Sequence, residues 1–128
     1  MRYSAGFVRC VGYPAASKIS HVPVDSYGPE LTAAVGMIAQ RGAAVYVHVD
    51  LDVLDPSEGQ VNDYAAPGGL SCADVTWGIR EITSNFYFVA ASLTAFDPAA
   101  DADGRALDAA ARIALVLIER APAPEFDD

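Results

Sequence analysis

Hydrophobic and polar positions alternate along the chain in blocks of two kinds. GFVRCVGY (6–13), AAVYVHVD (43–50) and FYFVAASLTAF (86–96) are short and largely apolar, which predicts three strands. PELTAAVGMIAQRG (29–42), LSCADVTWGIREITS (70–84) and GRALDAAARIALVLIER (104–120) have the length and spacing of helices. Pro29 suits a first helical turn and Gly42 a C-terminal cap. Ser71 followed by Asp74 forms a capping-box pattern with Asp in place of Glu. In the last helix Leu107, Ala110, Ala111, Ile113, Ala114, Leu117 and Ile118 form a broad apolar stripe.

Strands alternating with helices predict an α/β fold with a parallel sheet. Strands apolar on both faces call for helices on both sides. Residues 1–121 form one domain on this reading, and the tail APAPEFDD, essentially 122–128, is flexible. Residues 13–28 are rich in Pro, Ser and Gly and read as irregular.

In open parallel sheets ligands bind beyond the carboxyl ends of the strands. Asp50 and Asp52 lie at the end of the second predicted strand, and Asp97 just past the third. In an extended backbone residues i and i+2 share a face, so both carboxylates can meet one point. Hard divalent ions take such oxygen ligands. A turn is the alternative, because Asp side chains also bond their own backbone. Asp55-Pro56 and Asp97-Pro98 read as turn or cap chemistry, and Asp101 and Asp103 as caps for the last helix. His48 reads as a hydrogen-bonded core residue ahead of a ligand, and His21 falls in the irregular segment. The segment 51–69 is long and has no clear element of its own, and such loops are usually functional or disordered. Gly68-Gly69 lets backbone approach closely, either to a ligand or in a turn.

The formal charge of −9 argues against nucleic acid or an anionic membrane surface as partner. No window approaches the roughly twenty apolar residues of a membrane span. Cys10 and Cys72 are too few for a disulfide framework, so a cytoplasmic chain with reduced thiols is expected. Phosphate loops of the GxxxxGK or GxGxxG type and the GxSxG serine context do not occur in the sequence.

The ordered set VHVDLDVLDP, then PGGLS opening a helix, then an apolar strand closing in FDPAAD, then ARIALVLIE resembles the C-terminal part of the arginase–agmatinase–formimidoylglutamase (ureohydrolase) family. That family's pattern is a strand ending D-x-D-x-x-D-P, a loop, P-G-G-L before Ser or Thr, and a strand ending in N-P or D-P. The match is good over 43–120 and weak over 1–42. The resemblance implies a three-layer α/β/α sandwich, here truncated to about three strands and three helices. It implies hydrolysis of a guanidino or formimidoyl C–N bond with two manganese ions, and it makes Asp50 and Asp52 metal ligands. The loop residues Asn62, Asp63 and Tyr64 are the candidates for substrate contact.

Departures from the family pattern set the expected limits. The G-G-D-H and D-A-H-x-D segments that supply the family's other ligands do not occur here, so this chain offers at most a half-site. The loop reads EGQVNDYAAPGG where the family has G-T-G-x-P. Ala95 stands where many members carry a glutamate that meets the guanidinium. The expected partners are a complementary chain, or a second copy joined through an exposed sheet edge near 6–13 or 43–50. The rival readings are a non-catalytic structural or regulatory remnant of the family, and a small acidic domain that binds a cation or amine.

Overall fold

The computed structural model describes residues 4–9, 19–39 and 43–123, with side chains from residue 21. The elements run β1 (Ser4–Arg9), β2 (Ile19–Pro23), α1 (Tyr27–Ala39), β3 (Ala44–Asp50), α2 (Cys72–Asn85), β4 (Tyr87–Thr94) and α3 (Arg105–Arg120). Cys10, Gly42 and the last five residues lie outside the described set, so the Gly42 cap and most of the expected tail do too.

β3 and β4 pair in parallel, from Ala44 opposite Tyr87 to Asp50 opposite Thr94, with one irregularity after Val45. α2 makes the crossover between them. On one side of this pair Val47, Val49 and Phe88 are buried with Val75 and Ile79 of α2 and Ala109, Ile113, Val116 and Leu117 of α3. Burying aliphatic side chains of this size contributes about 1.5–3 kcal/mol each, so this cluster dominates the energetics of the fold. A smaller cluster joins Val22 of β2 to Leu31 and Val35 of α1, with Ile82 and Phe86 beside it.

Two expectations are corrected here. The first predicted strand does not join the parallel sheet. β1 pairs antiparallel with β2, a strand within the segment read as irregular. An antiparallel pair needs only a short connection, whereas a parallel partner requires a long crossover. The stripe on α3 is also rotated from the expected one. Ala106, Ala109, Ala110, Ile113, Val116 and Leu117 face the core, while Leu107 and Ile118 are exposed. The helix is apolar around much of its circumference, so its own pattern does not select the packed face.

Among the described residues the helices cover one face of the parallel pair. The other face leaves Tyr46, Tyr87 and Val89 exposed. On that face the Tyr46 hydroxyl donates to Ser92 Oγ at 2.6 Å, and Ser92 Oγ lies 2.6 Å from His48 Nδ1. His48 is therefore hydrogen-bonded as expected, but it is exposed on the open face of the sheet and not a core residue.

α2 starts with the capping box its sequence predicts: Ser71 Oγ accepts from the Asp74 N–H at 3.0 Å, and Asp74 Oδ2 accepts from the Ser71 N–H at 3.2 Å. At the start of α3 the Asp101 carboxylate accepts from the N–H groups of Ala106 and Leu107. Asp103 accepts from the Arg105 N–H and pairs with its guanidinium. The expected capping roles of Asp101 and Asp103 are thus observed. Cys72 is buried, its thiol 3.8 Å from the Ala109 carbonyl, and burial pushes that thiol's pKa up, away from reactivity.

Candidate metal centre

Three chain segments meet at the carboxyl end of the β3–β4 pair. The first is the end of β3. The strand stops at Asp50 and turns at once into a 3-10 turn over Leu51–Val53. Asp50 caps that turn: its Oδ1 accepts from the Asp52 N–H at 2.9 Å. The two aspartates are therefore brought together by a cap, not by the pleat of a continuing strand. Asp50 is in the strand and Asp52 in the turn, so the simple i, i+2 alternation does not extend to Asp52. Leu51, fully buried between them, anchors the turn to the core.

The second segment is the loop. Its first part is pinned by Asp55, which caps a 3-10 turn through the Ser57 N–H and also accepts from the Gly68 N–H, at 2.9 and 2.8 Å. These bonds hold its carboxyl well below the usual carboxylate range, at about 2. Asp55 is thus a structural cap, as the Asp-Pro pair suggested. Leu54 and Leu70 form a parallel bridge that closes the loop on itself. Gly69 makes that closure fit, since a Cβ there would stand 2.5 Å from the Asp55 backbone nitrogen. The glycine pair serves this internal approach.

The third segment follows β4. Ala95 takes the left-handed conformation, with φ 71°. Asp97 caps the next turn by accepting from the Ala99 N–H, and its own N–H donates to the Val61 carbonyl at 2.8 Å.

Asn62 ties these segments together. Its Nδ2 donates to Asp52 Oδ1 and to the Ala95 carbonyl, the latter at 2.9 Å. Its Oδ1 accepts from the Tyr64 N–H at 2.8 Å. Two oxygen acceptors on one side and an N–H donor on the other fix which way the amide points. Asn62 is only 9% exposed, whereas Tyr64 is 85% exposed and Asp63 is also open to solvent. Of the three loop residues expected near a substrate, one is committed to the loop's own structure and two face outward.

Asp50 and Asp52 are both exposed. Each has one carboxylate oxygen engaged by a neutral N–H donor, and among the described residues neither has a cationic side chain against it. Oxygen donors of this kind suit a hard divalent cation. Their number does not: among the described residues no three His, Cys, Asp or Glu side chains come together as a metal site. The donor set fits a share of a metal centre and falls short of a whole one.

A sequence model of the arginase family matches residues 16–119. The chain belongs to the arginase family. It is 27% identical to proclavaminate amidino hydrolase from Streptomyces clavuligerus, with a TM-score of 0.66 over 77% of this chain and 34% of that one. It is 26% identical to a hypothetical agmatinase from Burkholderia thailandensis, with a TM-score of 0.60 over 70% of this chain and 29% of that one. With arginase from Bacillus caldovelox it shares the fold, at 21% identity and a TM-score of 0.63, over 73% of this chain and 32% of that one. No curated protein matches. The chain thus spans about a third of the length of the solved structures it matches, and its fold is a truncated arginase-like α/β fold. No helix among the described residues is long and apolar enough to cross a membrane.

Proposed function

We propose that this chain supplies the Asp50 and Asp52 share of a two-manganese centre in a ureohydrolase that cleaves a guanidino or formimidoyl C–N bond. The observation that carries the reading is the position of these two carboxylates. They sit at the carboxyl end of a parallel strand, within the segment matched by the arginase family, and each keeps one oxygen free of donors among the described residues. Bound ions would supply Lewis-acid activation of water. The chain's own part is to present two oriented carboxylates. Asp50 is fixed by the turn it caps and Asp52 by Asn62. Asp63 and Tyr64 are the substrate contacts on this reading, which their exposure on the same loop supports.

The remaining metal ligands come from a companion segment carrying G-G-D-H and D-A-H-x-D, on the same polypeptide or on a complementary chain. The open face and outer edges of the β3–β4 pair offer the surface on which it joins, in the cytoplasm. Ala95 has no carboxylate for a guanidinium, so the substrate's amidine is recognised by other groups.

Calorimetric titration of the chain with Mn²⁺, beside its Asp50→Asn/Asp52→Asn double variant, tests the metal role. Binding by the parent that disappears in the variant is expected, and equal behaviour of the two overturns it. Co-expression with a chain carrying the missing segments, followed by assay for urea or ammonia release, tests the activity. The absence of a three-ligand cluster among the described residues favours a second reading, a non-catalytic remnant kept for assembly. That reading predicts native complexes whose formation is indifferent to the same double substitution.

A further inference from the structure

We propose that the outward face of α3 is an interface between two copies of this chain, packed antiparallel about a twofold axis that passes between Arg112 and Ile113. The pattern and packing of α3 carry this, independently of the metal reading of Asp50 and Asp52.

α3 is apolar on two faces, and the fold of one chain uses only one of them. Ala106, Ala109, Ala110, Ile113, Val116 and Leu117 are buried in the core. Facing away from it, Leu107, Leu115 and Ile118 are 56, 57 and 70% exposed, with Ala111 exposed and Ala114 half-buried among them. These five positions fall on one stripe of the helix. A contiguous apolar stripe left open to water marks an interaction surface.

The order of side chains along the stripe selects the partner. Leu107, Ala111, Ala114 and Ile118 follow at intervals of four, three and four residues, large at both ends and small in the middle. The pattern therefore reads alike in both directions. A twofold interface needs such a self-complementary surface, because each of its contacts is made twice. With the axis at the midpoint of the stripe, Leu107 lies against the partner's Ile118, and Ala111 against the partner's Ala114. The alanines let the helices approach closely at the centre, and the large residues close the ends. Charges on the flank match too. Arg105 falls level with the partner's Glu119, and among the described residues Glu119 has no cation against it in its own chain. Arg112 lies at the axis beside the partner's Arg112, but each is already neutralised by Asp108 of its own chain at 2.6 Å. From Leu107 to Ile118 the stripe is about 17 Å long. That is small for a specific interface, so the dimer is weak and depends on concentration. Since α3 packs on the covered side of the β3–β4 pair, pairing through its outer face leaves the open sheet face free.

Sedimentation equilibrium of the full chain, from micromolar to near-millimolar concentration, tests the interface. Salt at about 0.15 M screens the repulsion between two acidic copies. The parent, Leu107→Glu, Ile118→Lys and the variant carrying both substitutions are compared. Both positions are exposed, and an acidic residue near the start of a helix and a basic one near its end suit the helix dipole, so the fold is kept. Circular dichroism at the lowest concentration checks this. A monomer–dimer equilibrium is expected for the parent, weakened about tenfold or more by either single substitution. Within one chain the two positions are too far apart to pair. Across the antiparallel interface each new glutamate meets the partner's new lysine, so the double variant should regain most of the lost affinity. A parent that stays monomeric at every concentration would overturn the proposal. So would a double variant that associates no better than the single ones. Self-association that all three variants keep unchanged would place the contact elsewhere, at a sheet edge or on the open sheet face, and would overturn it as well.

Discussion

The carboxylate of Asp55 spans the loop to the backbone N–H of Gly68, thirteen residues further on, at 2.8 Å. With the Ser57 N–H on its other oxygen, it closes the segment that carries Asn62. The Ser57 bonds are the largest cause, and the Gly68 bond a further one, of a folded-state pKa lowered from 3.8 to about 2. A carboxyl whose pKa is depressed on folding stabilises the fold while it is ionised. Its contribution is complete above 3.8 and is lost as the pH falls from there through about 2. The Gly68 amide resonance should therefore shift in that window, and the loop should open there. In Asp55→Asn that pH dependence should be absent, because the side chain no longer titrates.

Gly69→Ala should damage the closure of the loop. The new Cβ would lie 2.5 Å from the Asp55 nitrogen and 2.6 Å from the Leu54 carbonyl carbon, all backbone atoms. The backbone cannot drift away cheaply, since the Leu70 N–H donates to the Val53 carbonyl at 2.7 Å and the Asp55 N–H to the Leu70 carbonyl at 2.9 Å. Overpacking of this kind costs about 1–3 kcal/mol. Urea denaturation should show a lower midpoint with an unchanged slope.

Much of this architecture can be read along the chain, and the reasons are local. The β-branched run before Asp50 and the capping box at Ser71 place β3 and α2 to within two residues. The proline in the first turn of α1 does the same at one end, although a 3-10 turn over Val24–Ser26 runs into the helix and starts it two residues earlier than expected. What the sequence hides is long-range. β2 is five residues within a segment whose Pro and Ser content reads as irregular, and its pairing with β1 exists only in three dimensions. α3 has apolar side chains on several sides, so only packing chooses among them. The candidate site shows the same division. Asp50 and Asp52 are marked by their motif, but the cap that joins them depends on where β3 stops. Asn62 carries no periodic signal. Its only sequence hint is its type, since Asn commonly bonds the backbone two residues on, as it does here with Tyr64.

Ser71→Ala should weaken the entry into α2. The hydroxyl accepts from the Asp74 N–H, one of the unpaired donors of the first turn, and donates to the Asp74 carboxylate at 2.7 Å. Loss of such a cap costs about 0.5–2 kcal/mol. α2 forms the crossover and buries Val75 and Ile79 against β3 and β4, so the loss should appear in global stability rather than as local fraying. A fall in melting temperature with coincident far-ultraviolet and tryptophan signals, the latter from Trp77, would confirm it. Early loss of the helical signal alone would contradict it.

Ala95→Gly tests the strain stored beside the candidate site. Ala95 has φ 71°, where an L-residue is disfavoured by about 1–2 kcal/mol. Glycine removes that penalty but gains freedom in the unfolded chain, which offsets about 0.4–1 kcal/mol. A net stabilisation of about 0.5–1 kcal/mol is expected, measured as a raised denaturation midpoint. The sign depends on Asn62, whose amide holds the Ala95 carbonyl in place. If that bond imposes the left-handed turn, the benefit of glycine should be larger in the parent than in Asn62→Ala, where the backbone is free to relax. Equal benefit in both backgrounds would show that Ala95 is strained by the β4 terminus itself and that Asn62 only follows its carbonyl.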